Sequence, residues 1–482
     1  MLTVVMTISS CEKLVEIDAP IDSITTTEVF NSDEQAKSAM AGIYAKMINN
    51  LSSGGGILNE FSSGLVTMLG ALSADELNSW TTTSGYSEYD VFNRNKILQS
   101  NTPSSAFWQS AYTTIYGANA VIEGVQTSVS SNLSEGVRKK LTAEAKFVRA
   151  FSYFYLVNFF GDVPLVLTID FNQTRKLPRA PVADVYKQII KDLLEAQANL
   201  PASNTNLAGE KIYPDTWSAT ALLARAYLYT KEYENAFKQS NELIVNAGRF
   251  VLETDLEKTF LVESRESIWQ LKQESSASKG NATEEGHVFI PFSFEGQPVF
   301  FNVAYFLSEE LMNTFEADDK RLINWVGIST TNQTGSTLYF PYKYKTGPHN
   351  RVIGGPPTEY YVALRFAEQY LIRAEAAANG AAPLTNAIDD LNLIRDRAGL
   401  LPLSNTLTQS EVLEAVGKER RLELFAEWGH RWLDLKRTGH AVEVLSQITI
   451  KQPWAGEYQL FYPIPPNELK LNSHLIQNPG YL

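Results

Sequence analysis

Apolar residues recur every three or four positions in several long stretches of the chain, and these stretches come in pairs. This spacing places the apolar side chains along one face of an α-helix. Two such helices can bury their apolar faces against each other. The predicted helices of three pairs occupy residues 33–49 with 107–125, 137–161 with 182–201, and 366–380 with 383–399.

A further pair, within residues 221–244, gives the clearest pattern. Ala224, Tyr227 and Ala236 occupy the small, aromatic and small positions through which tetratricopeptide helices interlock, and Lys231 marks the turn. Helix pairs of this kind stack because one pair cannot bury its apolar face alone. The pattern predicts a mainly α protein built as a tetratricopeptide-like α-α superhelix.

Two long excursions interrupt the helix pairs. Residues 51–106 are rich in Gly, Ser, Thr and aromatic residues, and residues 250–362 carry Pro, Gly and short runs of β-forming residues. Both are longer than the usual connections between helices in a compact protein. We therefore expect large loop and short-strand excursions that have a function. The final residues, FYPIPPNELKLNSHLIQNPGYL, predict an extended strap laid over the surface.

The segment RRLELFAEWGHRWLDLKRTG, residues 420–439, raises the question of a metal site. On a continuous helix, Glu423, Glu427, His430 and Asp434 would lie along one stripe. Carboxylate-bridged metal sites of helix bundles need a Glu-x-x-His motif from two helices and a Glu from each of two others. The interleaved Arg and Lys residues can instead pair with the acids. We therefore expect a structural charge network here and no metal ion.

Length and charge narrow the class of partner. A chain of 482 residues exceeds one compact core and fits two lobes or an extended helical array. Its net charge of -13 disfavours binding to a phosphate backbone, so nucleic acid is not expected as a partner. No apolar run reaches the roughly 18 to 20 residues that a membrane-spanning helix requires. We therefore do not expect a helical membrane span.

Cys11 is the one cysteine of the chain and follows Ile8, Ser9 and Ser10. An aliphatic residue, two small residues and a cysteine resemble a bacterial lipobox, in which the cysteine is lipidated. Residues 1–10 contain no Lys or Arg and are too short for a complete secretory signal, so we interpret them as a truncated signal peptide. A disordered tail with an incidental cysteine is the alternative.

Five segments in order along the chain carry a more specific signal. They are AEAKFVRAFSYFYLVNFFGDVPLVL (143–167), RAPVADVYKQIIKDLLEAQANLP (179–201), SEELMNTFEADDKR (308–321), ERRLELFAEWGHRWLDLKRTG (419–439) and YPIPPNELKLNSHLIQNPGY (462–481). Together they resemble the hallmarks of the SusD/RagB family of Bacteroidetes outer-membrane lipoproteins. The resemblance implies a surface lipoprotein, anchored in the outer membrane through lipid on Cys11. Such a protein captures a nutrient and docks as a lid on a SusC-like TonB-dependent transporter.

The resemblance also implies a division of the chain. Residues 1–10 are the truncated lipoprotein signal peptide and residues 11–32 are an N-terminal tether. Residues 33–250 form the N-terminal SusD-like region with its tetratricopeptide-like helix pairs. Residues 251–482 form the C-terminal SusD/RagB region, which includes the helix pair at about 366–399. The family does no chemistry itself, so no catalytic residue, cofactor or metal ion is implied.

Aromatic residues of the early excursion suggest where a glycan binds. In residues 73–92, Trp80, Tyr86, Tyr89 and Phe92 lie among small polar residues. Flat aromatic rings can cover the apolar C–H faces of a sugar at little cost in side-chain entropy. The alternative is that these rings are ordinary packing residues, because buried aromatic residues are frequent.

Polar and later aromatic residues complete this prediction. The Asn78 amide and the Asp75 carboxylate can pair with sugar hydroxyls. In starch-binding members of the family the glycan site resembles such an arrangement, in which aromatic residues of the later excursion join the early loop. Tyr305 and Trp325 are the candidates from that excursion. The predicted ligand-binding set is Asn78, Trp80, Tyr86, Tyr305 and Trp325.

Three other functions stay open at the level of sequence. The family includes RagB-like members that take up peptides, and a tetratricopeptide scaffold can bind a partner's peptide in its groove. A glycoside hydrolase needs only two carboxylates, but nothing singles out a pair among the 54 acidic residues. The preferred interpretation is a cell-surface glycan-binding lipoprotein.

Overall fold

The computed structural model describes residues 29–49, 60–79, 88–205, 209–246, 248–293, 300–301, 303–329 and 336–481. Helices make up most of these ranges. In the first half of the chain they are α1 (Asp33–Ile48), α2 (Val66–Ser73), α3 (Asp90–Asn93), α4 (Thr102–Thr127), α5 (Glu135–Phe160), α6 (Phe171–Thr174), α7 (Val182–Asn199), α8 (Thr216–Tyr229) and α9 (Tyr233–Val245).

The second half contains shorter helices before and after one long helical block. They are α10 (Glu284–Phe289), α11 (Glu309–Met312), α12 (Lys320–Trp325), α13 (Phe366–Ala376), α14 (Leu384–Arg397), α15 (Gln409–Leu424), α16 (His430–Thr438), α17 (Ala441–Leu445) and α18 (Pro466–Leu471). A π-helical turn precedes α2 (Phe61–Leu65) and another follows α13 (Ala377–Ala381).

The strands of the described ranges form two-stranded antiparallel sheets. The pairs are β1 (Leu77–Ser79) with β7 (Tyr305–Leu307), β2 (Val163–Pro164) with β3 (Arg179–Ala180), β4 (Ser267–Leu271) with β10 (Tyr361–Arg365), β5 (Phe292–Ser293) with β6 (Phe300–Phe301), and β8 (Val326–Ser329) with β9 (Leu338–Pro341). The β1–β7 sheet joins the early excursion to the later one. Each sheet in these ranges has only two strands, so the sheets do not form a layer of their own.

The predicted helix pairs are confirmed. α1 packs against α4, α5 against α7, α8 against α9, and α13 against α14. Ala224, Tyr227 and Ala236 are buried, and Lys231 takes a positive φ of 61° in the turn between α8 and α9. α9 also packs against α13, so the helical array continues in space across the excursion of residues 250–362. The observed fold is therefore the predicted mainly α, tetratricopeptide-like superhelix with inserted excursions.

α5 is the central helix of the molecule. It begins after Ser134, whose side chain accepts a backbone N–H of the first turn, and it ends at Gly161, whose positive φ of 75° suits glycine. Its buried Phe151 contacts Trp269 of β4 at 5.1 Å and Trp428 at 5.2 Å between ring centroids. Residues far apart in the sequence thus share one hydrophobic core around α5.

Residues 420–439 do not form one helix, and this corrects the continuous stripe expected from the sequence. A turn separates α15 from α16, and in it Ala426, Trp428 and Gly429 have positive φ values of 48°, 47° and 66°. The Trp428 ring is buried and stacks on Tyr361 of β10, with 4.7 Å between ring centroids. The tertiary contacts of this ring therefore override the helical preference of the surrounding residues.

The C-terminal strap was predicted to lie over the surface, but it also enters the core. Tyr462 and Ile464 have no exposed surface. The Tyr462 hydroxyl is 2.8 Å from Ser73 Oγ at the end of α2, and Asn478 Nδ2 donates to the Phe160 carbonyl at 2.9 Å. The strap therefore ties the end of α5 to the end of α2, where the early excursion continues.

Candidate functional site

The two excursions meet at the β1–β7 sheet. Asn78 lies opposite Phe306, and Ser79 lies opposite Tyr305. This pairing brings Asn78 and Tyr305, which were predicted from separate excursions, onto adjacent strands. Residues opposite each other in such a sheet share a face, and successive residues alternate between faces. The side chains of Asn78 and Tyr305 therefore leave opposite faces of the β1–β7 sheet.

Ser308 fixes the junction of the excursions. Its N–H donates to the Glu76 carbonyl at 2.9 Å, and its hydroxyl donates to the Asp75 carbonyl at 2.6 Å. The same hydroxyl accepts the Leu311 N–H at 3.1 Å and caps α11. One serine thus holds the start of β1 against the end of β7, and this local order was not visible in the sequence.

Aromatic side chains surround Tyr305. Its ring meets Tyr89 edge to face at 6.2 Å and Phe289 edge to face at 6.3 Å between centroids. Tyr305 and Tyr89 are only partly buried, whereas Phe289 is buried. Burial raises the pKa of the Tyr305 hydroxyl to about 12, so it is a neutral donor and acceptor near pH 7. A supported ring with a polar tip is the type of group that contacts sugars.

The residues of β1 rest on α3. Asn93 of α3 is fully buried. In the amide orientation that satisfies its hydrogen-bond partners, Asn93 Nδ2 donates to Asn78 Oδ1 at 3.2 Å, and Asn93 Oδ1 accepts the Ser79 N–H at 3.2 Å. The Ser79 hydroxyl donates to Asp90 Oδ1 at 2.8 Å, and Arg94 Nε donates to Asp90 Oδ2 at 3.0 Å. α3 therefore sets the position of both polar residues of the strand.

Trp325 is a core residue, which corrects its assignment to the ligand site. Its side chain has no exposed surface, and Nε1 donates to the Leu256 carbonyl at 3.0 Å. Lys343 Nζ lies 4.7 Å from the ring centroid, and the guanidinium groups of Arg365 and Arg397 lie at 5.7 and 5.9 Å. The ring packs among buried cations and offers no face to a ligand.

Other predicted residues fall in different places. Cys11, Trp80 and Tyr86 lie outside the described residues, so their predicted roles stay predictions. Phe92 has no exposed surface and packs on Tyr462 with 5.2 Å between ring centroids, so it is a packing residue.

Asp75 is already paired within the protein. Its carboxylate is 2.7 Å from Arg431 Nε and 2.8 Å from an Arg421 guanidinium nitrogen. Burial opposes ionisation, but the hydrogen bond from Arg431 and the charge of Arg421 hold the pKa of Asp75 below its usual value. This corrects the expectation that Asp75 pairs with sugar hydroxyls. For the next residue, Glu76, burial and the Asp75 charge raise the pKa to about 8.

The acids of residues 420–439 belong to the predicted charge network. Glu423 is 2.6 Å from an Arg365 nitrogen, Glu427 is 2.8 Å from Arg365 Nε, and Asp434 is 2.7 Å from Arg420 Nε. The network around Arg365 contains as many bases as acids: Arg321, Lys343, Arg365, Arg395, Arg397 and Lys418 with Glu266, Glu316, Asp319, Glu419, Glu423 and Glu427.

Within the described ranges, no three His, Cys, Asp or Glu side chains come together as a metal site. His430 is buried near Glu368 and Arg420, and its backbone N–H donates to the Glu427 carbonyl at 3.0 Å. Burial disfavours the imidazolium and lowers the pKa of His430 to about 4. The expected charge network is confirmed by these ion pairs.

Family models match the chain in two parts. Residues 19–228 match a model described as "Starch-binding associating with outer membrane", and residues 269–481 match a model described as "SusD family". Together the two matches take in most of the chain. The chain belongs to the SusD/RagB family. Two of the five segments that resembled the family lie wholly in the first match, and the other three lie in the second.

Full-length relatives support the same assignment. SusD-like protein P2 from Formosa agariphila is 27% identical, and the match covers 100% of this chain and 98% of the relative. A SusD superfamily structure from Bacteroides vulgatus superposes with a TM-score of 0.79 at 22% identity, covering 94% of this chain and 99% of the other. A structure described as a laminarin binding SusD-like protein is 26% identical and superposes with a TM-score of 0.73. The match covers 94% of this chain and 100% of the other.

The SusD-like fold explains which site residues the sequence alone missed. Phe289 and Ser308 support the junction, and their role depends on pairing between distant excursions. Ser308 opens one of the five segments that resemble the family, but that resemblance gave it no role at the junction. The run GHVFIPFSF, residues 286–294, is one of the runs of β-forming residues, but its residues 286–289 lie in α10 and only β5 (Phe292–Ser293) forms a strand in its described part. In the described part of this SusD-like chain, no helix is both long and apolar enough to span a membrane.

Proposed function

We propose that the protein is a cell-surface lipoprotein that binds an oligosaccharide or polysaccharide and delivers it to a TonB-dependent outer-membrane transporter. The observation that carries this proposal is the likeness, along nearly the whole chain, to a SusD-like protein described as laminarin binding. Laminarin is therefore the first ligand to test.

The junction of the two excursions supports a glycan site. Tyr305 presents a partly exposed ring that Tyr89 and Phe289 hold from the side. Such a ring loses little side-chain entropy when it stacks on the apolar face of a sugar. The chain continues from Ser79 directly into Trp80, and Tyr86 follows shortly after, so both stay in the proposed site with Tyr305. Asn78 stays in the proposal as a residue of the same strand whose side chain leaves the other face of the sheet.

Anchoring and delivery extend the proposal to the membrane. One matched family model is described as associating with the outer membrane. Cys11 is the proposed lipidation site, and residues 11–32 are the proposed tether between the lipid and α1. The partner is a SusC-like TonB-dependent transporter, on which the protein acts as a lid.

Binding without turnover is the expected activity. The first experiment measures binding of the purified chain to a glycan array that includes laminarin, beside a peptide library. Long incubation with the bound glycan is followed by product analysis. Saturable glycan binding with unchanged glycan supports the proposal. Binding to peptides alone would favour the RagB-like alternative, and released sugars would favour a glycoside hydrolase.

Delivery needs a second experiment. The chain with a complete upstream signal is expressed together with a SusC-like transporter, and complexes are isolated through a tag on the transporter. Co-purification of the two proteins is expected. A chain that binds glycan but never associates with the transporter would leave capture standing and contradict delivery.

A further inference from the structure

A buried lysine in the segment just before the C-terminal strap is held by oxygen atoms of the early excursion. Lys451 is 1% exposed. Its Nζ lies 2.9 Å from the Leu72 carbonyl, 3.2 Å from the Ser73 carbonyl, 2.9 Å from the Asn93 carbonyl and 2.7 Å from Asn95 Oδ1. Among the described residues, no carboxylate lies within ion-pair distance of this ammonium group. Carbonyl dipoles therefore surround it from two sides.

These oxygens belong to the two ends of one structural frame. We call residues 72–79 and 88–95 the β1–α3 frame, because they contain β1 and α3 with the residues that flank them. Leu72 and Ser73 end α2 just before β1, whereas Asn93 and Asn95 lie at the end of α3. The Lys451 ammonium thus bridges both ends of the frame that carries Asn78 and Tyr89.

Asn95 strengthens the same bridge. Its Nδ2 donates to the Ser73 carbonyl at 3.0 Å, and its own carbonyl accepts from Gln459 Nε2 at 2.7 Å. Asn95 has a positive φ of 51°, a conformation that asparagine tolerates better than most residues. The segment just before the strap therefore holds this end of the frame through Lys451 and Gln459.

Geometry makes the ammonium hard to replace with an apolar group. A carbonyl oxygen that is removed from water costs free energy unless a donor reaches it, and the three N–H groups of one ammonium serve oxygens at both ends of the frame here. Without it, the oxygens at the two ends of the frame would lose a shared donor. The frame would then open more readily while the hydrophobic core around α5 stays packed.

We propose that Lys451 is a positioning residue for glycan recognition, which clamps the β1–α3 frame so that Asn78, Tyr89 and Tyr305 keep their places. This inference rests on the proposed glycan-binding function.

Lys451→Met tests the clamp because it keeps the unbranched side chain and removes the donors. Hydrogen–deuterium exchange is measured along the whole chain, and binding of laminarihexaose is measured by calorimetry. We expect exchange in residues 72–79 and 88–95 to become at least about tenfold faster, and the dissociation constant to rise about tenfold, while α5 stays protected.

Lys436→Met is the matched control. Lys436 is another lysine of the C-terminal region, with Nζ 2.5 Å from the Asn158 carbonyl and 4.3 Å from the Phe461 ring centroid. Within the described residues, its ammonium group makes no hydrogen bond to the frame. We expect this variant to leave exchange in residues 72–79 and 88–95 unchanged. Equal acceleration of the frame in both variants would show a general loss of stability and would overturn the proposal.

Chemical rescue separates charge from packing. In Lys451→Ala, added methylammonium can enter the space of the missing ammonium, and we expect it to restore slow exchange in the frame, whereas tetramethylammonium is too bulky and has no N–H.

Unchanged frame exchange in Lys451→Met would overturn the clamp, whatever the glycan result. Failure of the unaltered protein to bind any glycan would instead contradict the proposed function, while the exchange data would still decide the role of Lys451. If Lys451→Ala does not fold, the comparison of Lys451→Met with Lys436→Met decides the question.

Discussion

His430 shows how burial sets the chemistry of a single side chain. It is 5% exposed and lies near Glu368, Arg225 and Arg420. Because burial disfavours its charged form, the pKa of His430 falls from 6.5 to about 4. The unfolded chain binds this proton more readily than the folded chain between these two values. Its contribution to stability is therefore fully present above about pH 6.5 and is lost as the pH falls towards 4.

We expect His430→Gln to remove this acid-sensitive contribution. The two proteins are unfolded with urea at several values between pH 7 and pH 4. As the pH falls, the unaltered protein should lose up to about 3 kcal/mol more stability than the variant does. Glycan binding at pH 7 should stay unchanged. Parallel stability profiles across this range would contradict the neutral, buried state of His430.

At the scale of elements, two glycines allow α2 to approach the turn between α15 and α16. A Cβ atom on Gly70 would lie 2.5 Å from the Gly429 Cα. A Cβ atom on Gly429 would lie 3.2 Å from Phe159 Cζ and 3.3 Å from the Val66 carbonyl oxygen. Gly429 also has a positive φ of 66°, which is unfavourable for other residues. Space and backbone conformation therefore both favour glycine at position 429.

Gly429→Ala should lower the free energy of unfolding by about 2 to 4 kcal/mol, because backbone strain and overpacking act together. Gly439→Ala is the control. Gly439 has a similar φ of 82°, but a Cβ there would meet nothing within 4 Å, so only about 1 to 2 kcal/mol of strain is expected. Equal losses in the two variants, measured by urea unfolding, would show that the close approach contributes nothing.

Local and distant interactions explain what the sequence could predict. The helix pairs follow from spacing within each segment, and Ala224 and Ala236 were recognised by their local pattern. The break at Trp428 was missed because its causes, Tyr361 and the Gly70 backbone, lie elsewhere in the chain. A feature could be predicted when the interacting residues are close in the sequence, and it was missed when they are far apart in the sequence.

The same distinction holds for the candidate site. Tyr305 and Trp325 belong to one excursion and have similar chemistry, so only the packing of the chain separates them. Trp325 is enclosed by Lys343 and the side chains around it, whereas Tyr305 stays partly exposed beside Tyr89. The sequence named both aromatic residues but could not show which one keeps an accessible ring.

At the scale of the whole molecule, one core around α5 and the charge network hold the excursions to the helical array. Arg365 of β10 contacts Glu266 and Glu423, and Arg397 of α14 contacts the same two acids. Buried ion pairs of this kind do not by themselves raise stability, but loss of one partner leaves an unpaired buried charge. The network therefore favours one relative arrangement of β4, β10, α14 and α15.

The proposed anchoring through Cys11 concerns the whole molecule. With a complete upstream signal, the protein should fractionate with the outer membrane. Cys11→Ala should be released into the soluble fraction when the transporter is absent, because an acyl chain contributes about 0.8 kcal/mol for each buried CH₂. Cys11→Ser is the matched control for side-chain size and should be released equally. Retention of either variant in the membrane would contradict lipidation at Cys11 as the anchor.

The central claim is that the junction of the two excursions binds glycan through Tyr305. Calorimetric titration of laminarihexaose into the unaltered protein, Tyr305→Ala and Tyr116→Ala tests it most directly. Tyr116 is 57% exposed on α4 and serves as the control for loss of a surface tyrosine. We predict that Tyr305→Ala weakens binding by about tenfold or more, or about 1.4 kcal/mol, while α5 stays folded and Tyr116→Ala binds normally. Unchanged affinity in a folded Tyr305→Ala protein would contradict the claim.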